Sequence, residues 1–261
     1  MQGLGLTQYV PGESLLHDLD PRSKVLAILL LSVAVFVADG MLKLVSLSFL
    51  CLLLMNASRI SAAYYWQSLR PFLIIIIPTA LLQVILISGP VLYHIGPLAI
   101  SQNGLLTAGV FILRLTILIL ILRLLTLTTT PTAIINGCER MLSPLQKVGF
   151  PVLELLTIMN LAFAFIPFFL EEGQRVWMAQ TSRGLSLREG SVKRRLESLL
   201  ALLVPLWRGA FERSHQLAEA MEARGYRSGS RRTCLRVLHW DTADSLAVLI
   251  GLAVLLLVMI H

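Results

Sequence analysis

The stretch GLLTAGVFILRLTILILILRLLTL, residues 104–127, decides the class of fold. It runs past the ~20 residues that a helix needs to cross a bilayer, and only Arg114 and Arg123 carry charge within it. Further apolar runs lie at 25–38, 41–55, 72–88 and 243–260. Hydrophobic residues make up 56% of the 261, and charged residues only 14%, where soluble domains carry roughly 25% charge. The chain therefore reads as an all-α polytopic membrane protein, with about five transmembrane helices and long helices on the cytoplasmic side.

Working outward, the two runs at 25–38 and 41–55 are split by Asp39-Gly40 and are each short for a span. Extending the first back to Pro21 and the second on to Ala57 gives a tight hairpin of two crossings. Asp20 before Pro21 is an N-cap followed by proline at the first helical position, so the first helix starts near Pro21. Residues 56–70 read as a polar connection, Pro78 as a kink in the third span, and 89–103 as a loop without Lys or Arg. That uncharged loop alternates with segments carrying Arg22 and Lys24, Arg59 and Arg70, and the residues beyond Arg123. By the positive-inside rule the N-terminus is cytoplasmic. The divisions expected are a cytoplasmic N-terminal segment at 1–24, a four-helix membrane part at 25–128, a coupling-helix region at 131–236 and a last membrane helix at 240–261.

Arg114 lies deep in its span and Arg123 near enough to the cytoplasmic face to snorkel. A charge at that depth marks either a functional site or an arginine turned into the bundle and paired there.

Of the 22 Lys and Arg, 15 fall between Pro131 and Trp240, a distribution that speaks for orientation at a membrane rather than for nucleic acid. A helix is expected over 131–148 with Thr130 as its cap, then long helices over 152–183 and 192–224, each interrupted by a proline, Pro167 and Pro205. The first of these long helices is apolar as far as Phe169-Leu170 and polar from Glu171, which suits a helix in the interface that enters the cytosol as well as it suits a span. They end on matching stretches, Thr181-Ser182-Arg183-Gly184 and Glu222-Ala223-Arg224-Gly225. Gly after the last turn takes the left-handed conformation that closes a helix, and Arg in that turn offsets the negative end of the dipole. Counted back from each Arg, Ala179 and Ala220 correspond, as do Glu171 and Glu212. The basic tail at 226–236 suits orientation or contact with lipid headgroups.

Cys51, Cys138 and Cys234 are scattered, and His17, His94, His215, His239 and His261 show no ligand spacing, so no metal site is expected. No phosphate loop, HExxH or GxSxG motif occurs, no cleavable signal peptide is expected at the start, and no enzyme is read from the chain.

Several stretches in order resemble the transmembrane T component of energy-coupling factor (ECF) vitamin and metal importers. They are Tyr9-Val10-Pro11-Gly12-Glu13-Ser14, His17-Asp18-Leu19-Asp20-Pro21-Arg22-Ser23-Lys24, Leu125 to Pro131, Leu142-Ser143-Pro144-Leu145 and Ala220-Met221-Glu222-Ala223-Arg224-Gly225-Tyr226. The chain differs in having Ser182 where that family usually has Ala, and Ala164 where it often has Arg. The resemblance implies a bacterial cell membrane, two ATPase subunits as a heterodimer that hold ATP and Mg, and a separate substrate-binding S component, with no cofactor in this chain. It implies that Ser182, Arg183, Gly184, Ala223, Arg224 and Gly225 meet the ATPases, and that Phe163, Phe168, Phe169, Trp177, Trp207 and Phe211 face the S component. A dedicated cobalt or nickel importer subunit and a membrane enzyme acting on lipid through Arg114 are the alternatives.

Overall fold

A computed structural model describes residues 9–12, 14–95, 98–142, 146, 149–185, 191–227 and 240–260. The chain divides into two compact units, one made of 1–138 with 236–261 and the other of 139–235. Helices α4 (Ala62–Leu86), α5 (Gln102–Thr128), α7 (Val152–Ser182) and α9 (Thr242–Ile260) are each long and apolar enough to cross a membrane, and α3 (Met41–Ala57) is a shorter apolar helix. With α2 (Pro21–Val37), α6 (Pro131–Leu142), α8 (Val192–Ala223) and the short α1 (Leu15–Asp18), this is a helical polytopic membrane protein.

The caps read from the sequence form. Asp20 accepts a hydrogen bond from the Arg22 amide at 2.9 Å and Thr130 from the Ala133 amide at 3.3 Å. Ser191, which the sequence did not single out, caps α8 by accepting from the Arg194 amide at 3.5 Å. Gly40, at φ 103°, turns the chain between α2 and α3. The boundaries differ in three places. α4 starts at Ala62 rather than 72, because Ser61 caps it and Tyr65 buries its ring among Leu124 and Leu127 of α5, so the stretch taken as a polar connection is helical with one buried face. The expected loop at 89–103 contains an antiparallel hairpin, β1 (Val91–Ile95) with β2 (Leu98–Ser101), and Ser101 then caps α5. α6 ends at Leu142; 143–145 and 147–148, with most of the basic tail and the linker at 186–190, lie outside the described residues.

In the first unit, α2 packs along α9, and α5 packs against α2, α3 and α4. The core between them holds Ile28, Leu31, Val35, Leu44, Ile117 and Ile121. Gly251 lets α9 come close to α2: a side-chain carbon there would meet the Ala27 carbonyl oxygen and Leu30 Cβ at 3.4 Å.

The two helices are locked at one end by a buried carboxylate. Asp244, 2% exposed, accepts the Asp20 amide at 2.8 Å and the Ser23 hydroxyl at 2.6 Å through Oδ1, and the Asp241 amide at 2.9 Å through Oδ2. The N-terminal segment closes around the same region. The Ser14 hydroxyl and His17 Nδ1 are 2.7 Å apart, Lys24 donates to the His17 carbonyl at 2.9 Å, and the Val10 amide donates to the Leu127 carbonyl at the end of α5 at 3.1 Å.

Arg114 has a partner. Its guanidinium donates to the Ala38 carbonyl, just past α2, at 2.6 Å, and lies 3.9 Å from the Asp39 carboxylate. Lys43 does the same for α9, donating to the Val258 carbonyl at 3.1 Å. Both cations sit on the negative ends of helix dipoles, so Arg114 is paired within its own unit, as the structural reading of it expects.

Replacing Asp244 with Ala strands the buried Asp20 amide and takes the acceptor from the half-buried Asp241 amide, while the Ser23 hydroxyl keeps the Asp20 carbonyl at 2.7 Å. We expect a loss of about 2–4 kcal/mol, read as a lower unfolding midpoint of the purified chain in detergent, whereas Asp241→Ala, which keeps the amide that is used, leaves the midpoint nearly unchanged.

Candidate coupling surface

The second unit is built on α7 and α8, which pack against each other. Each helix runs through its internal proline, Pro167 or Pro205. α7 changes from apolar to polar after Leu170, where Arg175 pairs with Glu171 at 3.8 Å and with Glu172 at 3.2 Å, one turn away on the same face. Such exposed pairs add a few tenths of a kcal/mol each, roughly 0.3–0.5.

The two C-termini have the same geometry. Arg183 occupies the cap of α7 at φ −88° and ψ 8°, and Arg224 the cap of α8 at φ −87° and ψ 8°. Gly184 and Gly225 follow in the left-handed region at φ 83° and 78°. In α7 the Gly184 amide donates to the Thr181 carbonyl at 3.0 Å and the Leu185 amide to that of Gln180 at 3.1 Å. In α8 the Gly225 amide donates to the Glu222 carbonyl and the Tyr226 amide to that of Met221, both at 2.9 Å. This double closure is the Schellman arrangement, which satisfies carbonyls that the helix itself leaves open.

Ser182, Arg183, Gly184, Ala223, Arg224 and Gly225 are all exposed. Neither guanidinium meets a carboxylate or an acceptor among the described residues. Each helix thus ends in a fixed turn that presents an unmatched cation with a rigid donor fork.

Four of the six aromatic candidates fall into two groups. Phe168 and Phe169 join Phe165 on α7, with ring centroids 5.5–6.4 Å apart, and Trp207 stacks at a tilt on Phe211 of α8 at 6.0 Å. Phe163 and Trp177 are exposed and stand outside these ring contacts. Arg213 of α8 lies over the Phe168 ring at 5.5 Å and ties the two helices by a cation–π contact. The sequence reading passed over Phe165 and Arg213. The i, i+3, i+4 spacing of Phe165, Phe168 and Phe169 was there to be read, but nothing in the sequence pairs Arg213 with a ring on another helix. Among the described residues no three His, Cys, Asp or Glu side chains gather as metal ligands.

A family model described as cobalt transport protein matches residues 12–235, and so includes both Arg-Gly caps. Proteins named energy-coupling factor transporter transmembrane protein EcfT match nearly the whole length. The one from Thermosediminibacter oceani is 41% identical over 244 residues, which cover 94% of this chain and 92% of that protein. The one from Bacillus subtilis is 39% identical over 257 residues, 98% of this chain and 96% of that protein. The one from Brevibacillus brevis is 38% identical over 259 residues, 99% and 98%. The chain belongs to this family. It is the transmembrane component of an energy-coupling factor transporter, a multi-pass membrane protein, and these relatives carry the name of a transporter part, not of an enzyme.

The glycines of the caps hold the transporter component's arginines in place. No side-chain atom stands in the way at Gly184 or Gly225, but L-residues pay about 1–2 kcal/mol for a left-handed backbone. Gly184→Ala or Gly225→Ala is expected to fray the last turn alone. Amide exchange at Gly184 and Leu185, or at Gly225 and Tyr226, should rise by about tenfold while exchange in the first unit stays the same.

Proposed function

We propose that Arg183 and Arg224 dock in clefts on two cytoplasmic ATPase subunits, and that α7 and α8 carry the ATP-driven movement of those subunits to a substrate-binding S component. The cargo is a vitamin or another micronutrient, brought in across a bacterial cell membrane. In this reading the N-terminus faces the cytoplasm, ATP and Mg belong to a heterodimer of ATPases, and the chain itself performs no chemistry. The observation that carries it is the pair of caps, equal within a few degrees, each offering an exposed arginine with no partner among the described residues.

The rest of the unit suits the same task. The small Ser182 and Ala223 beside each Arg leave room for a cleft wall to close on the cap. Phe163, Phe168, Phe169, Trp177, Trp207 and Phe211 supply apolar surface, much of it exposed, on which an S component can sit and slide. Pro167 and Pro205 each remove one backbone hydrogen bond mid-helix and give each rod a point at which to flex. The cation–π contact of Arg213 with Phe168 keeps the two rods moving together.

A metal-ion cargo is the second reading, favoured by the word cobalt in the description of the matching family. Uptake of labelled cobalt and of labelled vitamins by the same reconstituted complex separates the two.

The docking is tested by removing the forks. Loss of a buried interfacial Arg costs roughly 2–5 kcal/mol, so Arg183→Ala and Arg224→Ala singly should each lower uptake strongly, and the double variant should abolish it, with the chain still present in the membrane at the wild-type level. Uptake that persists in the double variant with ATP hydrolysis still coupled to it contradicts the proposal.

A further inference from the structure

In the first unit a cavity of about 810 Å³ opens between the N-terminal segment at Tyr9, Val10 and Pro11 and the facing surfaces of α4 and α5. Arg123 lines it. Its Nε is buried and without a hydrogen-bond partner, and among the described residues no carboxylate lies within 4.0 Å of its guanidinium. Gln67, Ser68 and Thr126 add neutral polar groups to the same wall, while Phe72, Ile119 and Leu122 make the remainder apolar.

The depth of this cavity in the bilayer is marked by its surroundings. Tyr64 and Trp66, in the first turns of α4, are 43% and 63% exposed. Tyr and Trp gather at the level of lipid headgroups. Arg123 is close to the end of α5 at Thr128 and lines the same cavity as Tyr64. A cation held at that level with no carboxylate beside it among the described residues is costly until an anion meets it, and a guanidinium matches a phosphate with a two-pronged fork. The apolar part of the cavity is built from two helices that are themselves long enough to span the membrane, so a chain attached to that phosphate finds hydrocarbon surface to follow.

We propose that this cavity is a seat for an anionic phospholipid, its phosphate on Arg123 and the beginning of an acyl chain along Phe72 and Ile119. The seat joins the N-terminal segment to α4 and α5, and a bound lipid holds the three together. The docking of the caps on ATPases has no part in this assignment.

The test uses the full chain purified in a neutral detergent, titrated with phosphatidylglycerol, with phosphatidylcholine or with inorganic phosphate, and read by native mass spectrometry together with the thermal midpoint. One phosphatidylglycerol should bind in preference to phosphatidylcholine and raise the midpoint. Arg123→Gln should weaken that binding about tenfold, and Arg70→Gln, on an exposed residue of α4 that does not line the cavity, should leave it unchanged. Ser68→Phe, which narrows the cavity beside the guanidinium and leaves that group intact, should weaken it as well and decides the matter if Arg123→Gln does not fold. Equal binding of the two lipids, or unchanged binding in Arg123→Gln or in Ser68→Phe, overturns the proposal. Inorganic phosphate that binds as tightly as the lipid and displaces it makes this a soluble-anion site and overturns the lipid assignment.

Discussion

A helix ends with carbonyls that have nothing of its own to bond to, and near a bilayer no water is at hand to replace the missing donors. That constraint organises this chain. The deep Arg114 bonds the carbonyl just past α2, and Lys43 bonds one in the last turn of α9. The N-terminal segment gives the Val10 amide to the last turn of α5. α3 is closed by Ser58, whose hydroxyl bonds the Met55 carbonyl, and by Arg59 in a left-handed conformation usually filled by glycine. Each of these closures also joins two parts of the chain or fixes the start of the next helix, so satisfying the backbone and assembling the bundle are the same event.

The ends of α7 and α8 solve the problem differently, and the difference is where function enters. There the closure is internal, made by glycine and the turn's own amides. The arginine in each cap is therefore not used up in bonding its helix. In the first unit Arg114 and Lys43 are consumed by carbonyls; in the second the cap arginines are held in a fixed direction and meet no acceptor among the described residues. Two ends of this kind stand on helices bound to each other by Arg213 and Phe168, and under the proposed function they form a paired contact surface for two subunits.

Much of this was legible in the sequence because it rests on local rules. Asp20-Pro21 and Thr130-Pro131 announced helix starts, and Arg-Gly announced the two ends; each signal lies within a few residues of its effect. What was not legible depends on residues brought together from afar. Asp244 reads as an ordinary acid in a first turn, and only folding sets it against Ser23 and the Asp20 amide. The partner of Arg114 is a backbone carbonyl, which no side-chain pattern records. Residues 62–70 look polar because one face is exposed, while Tyr65 on the other face is 2% exposed. The hairpin at 91–101 is held by backbone pairing, for which the glycines and prolines around it gave a turn but no strand. The free cation of each cap was read correctly as a helix end, yet its geometry, alike in both copies, belongs to the folded chain.

The most direct measurement places a photo-crosslinking amino acid at Ser182 and, separately, at Ala223, in cells that make the whole transporter. Beside the arginine of each cap, such a group reports what closes over it. If the two caps are docking elements, irradiation joins this chain to an ATPase subunit from both positions. If either position captures only lipid or no protein at all, the caps are not paired contacts and the account fails.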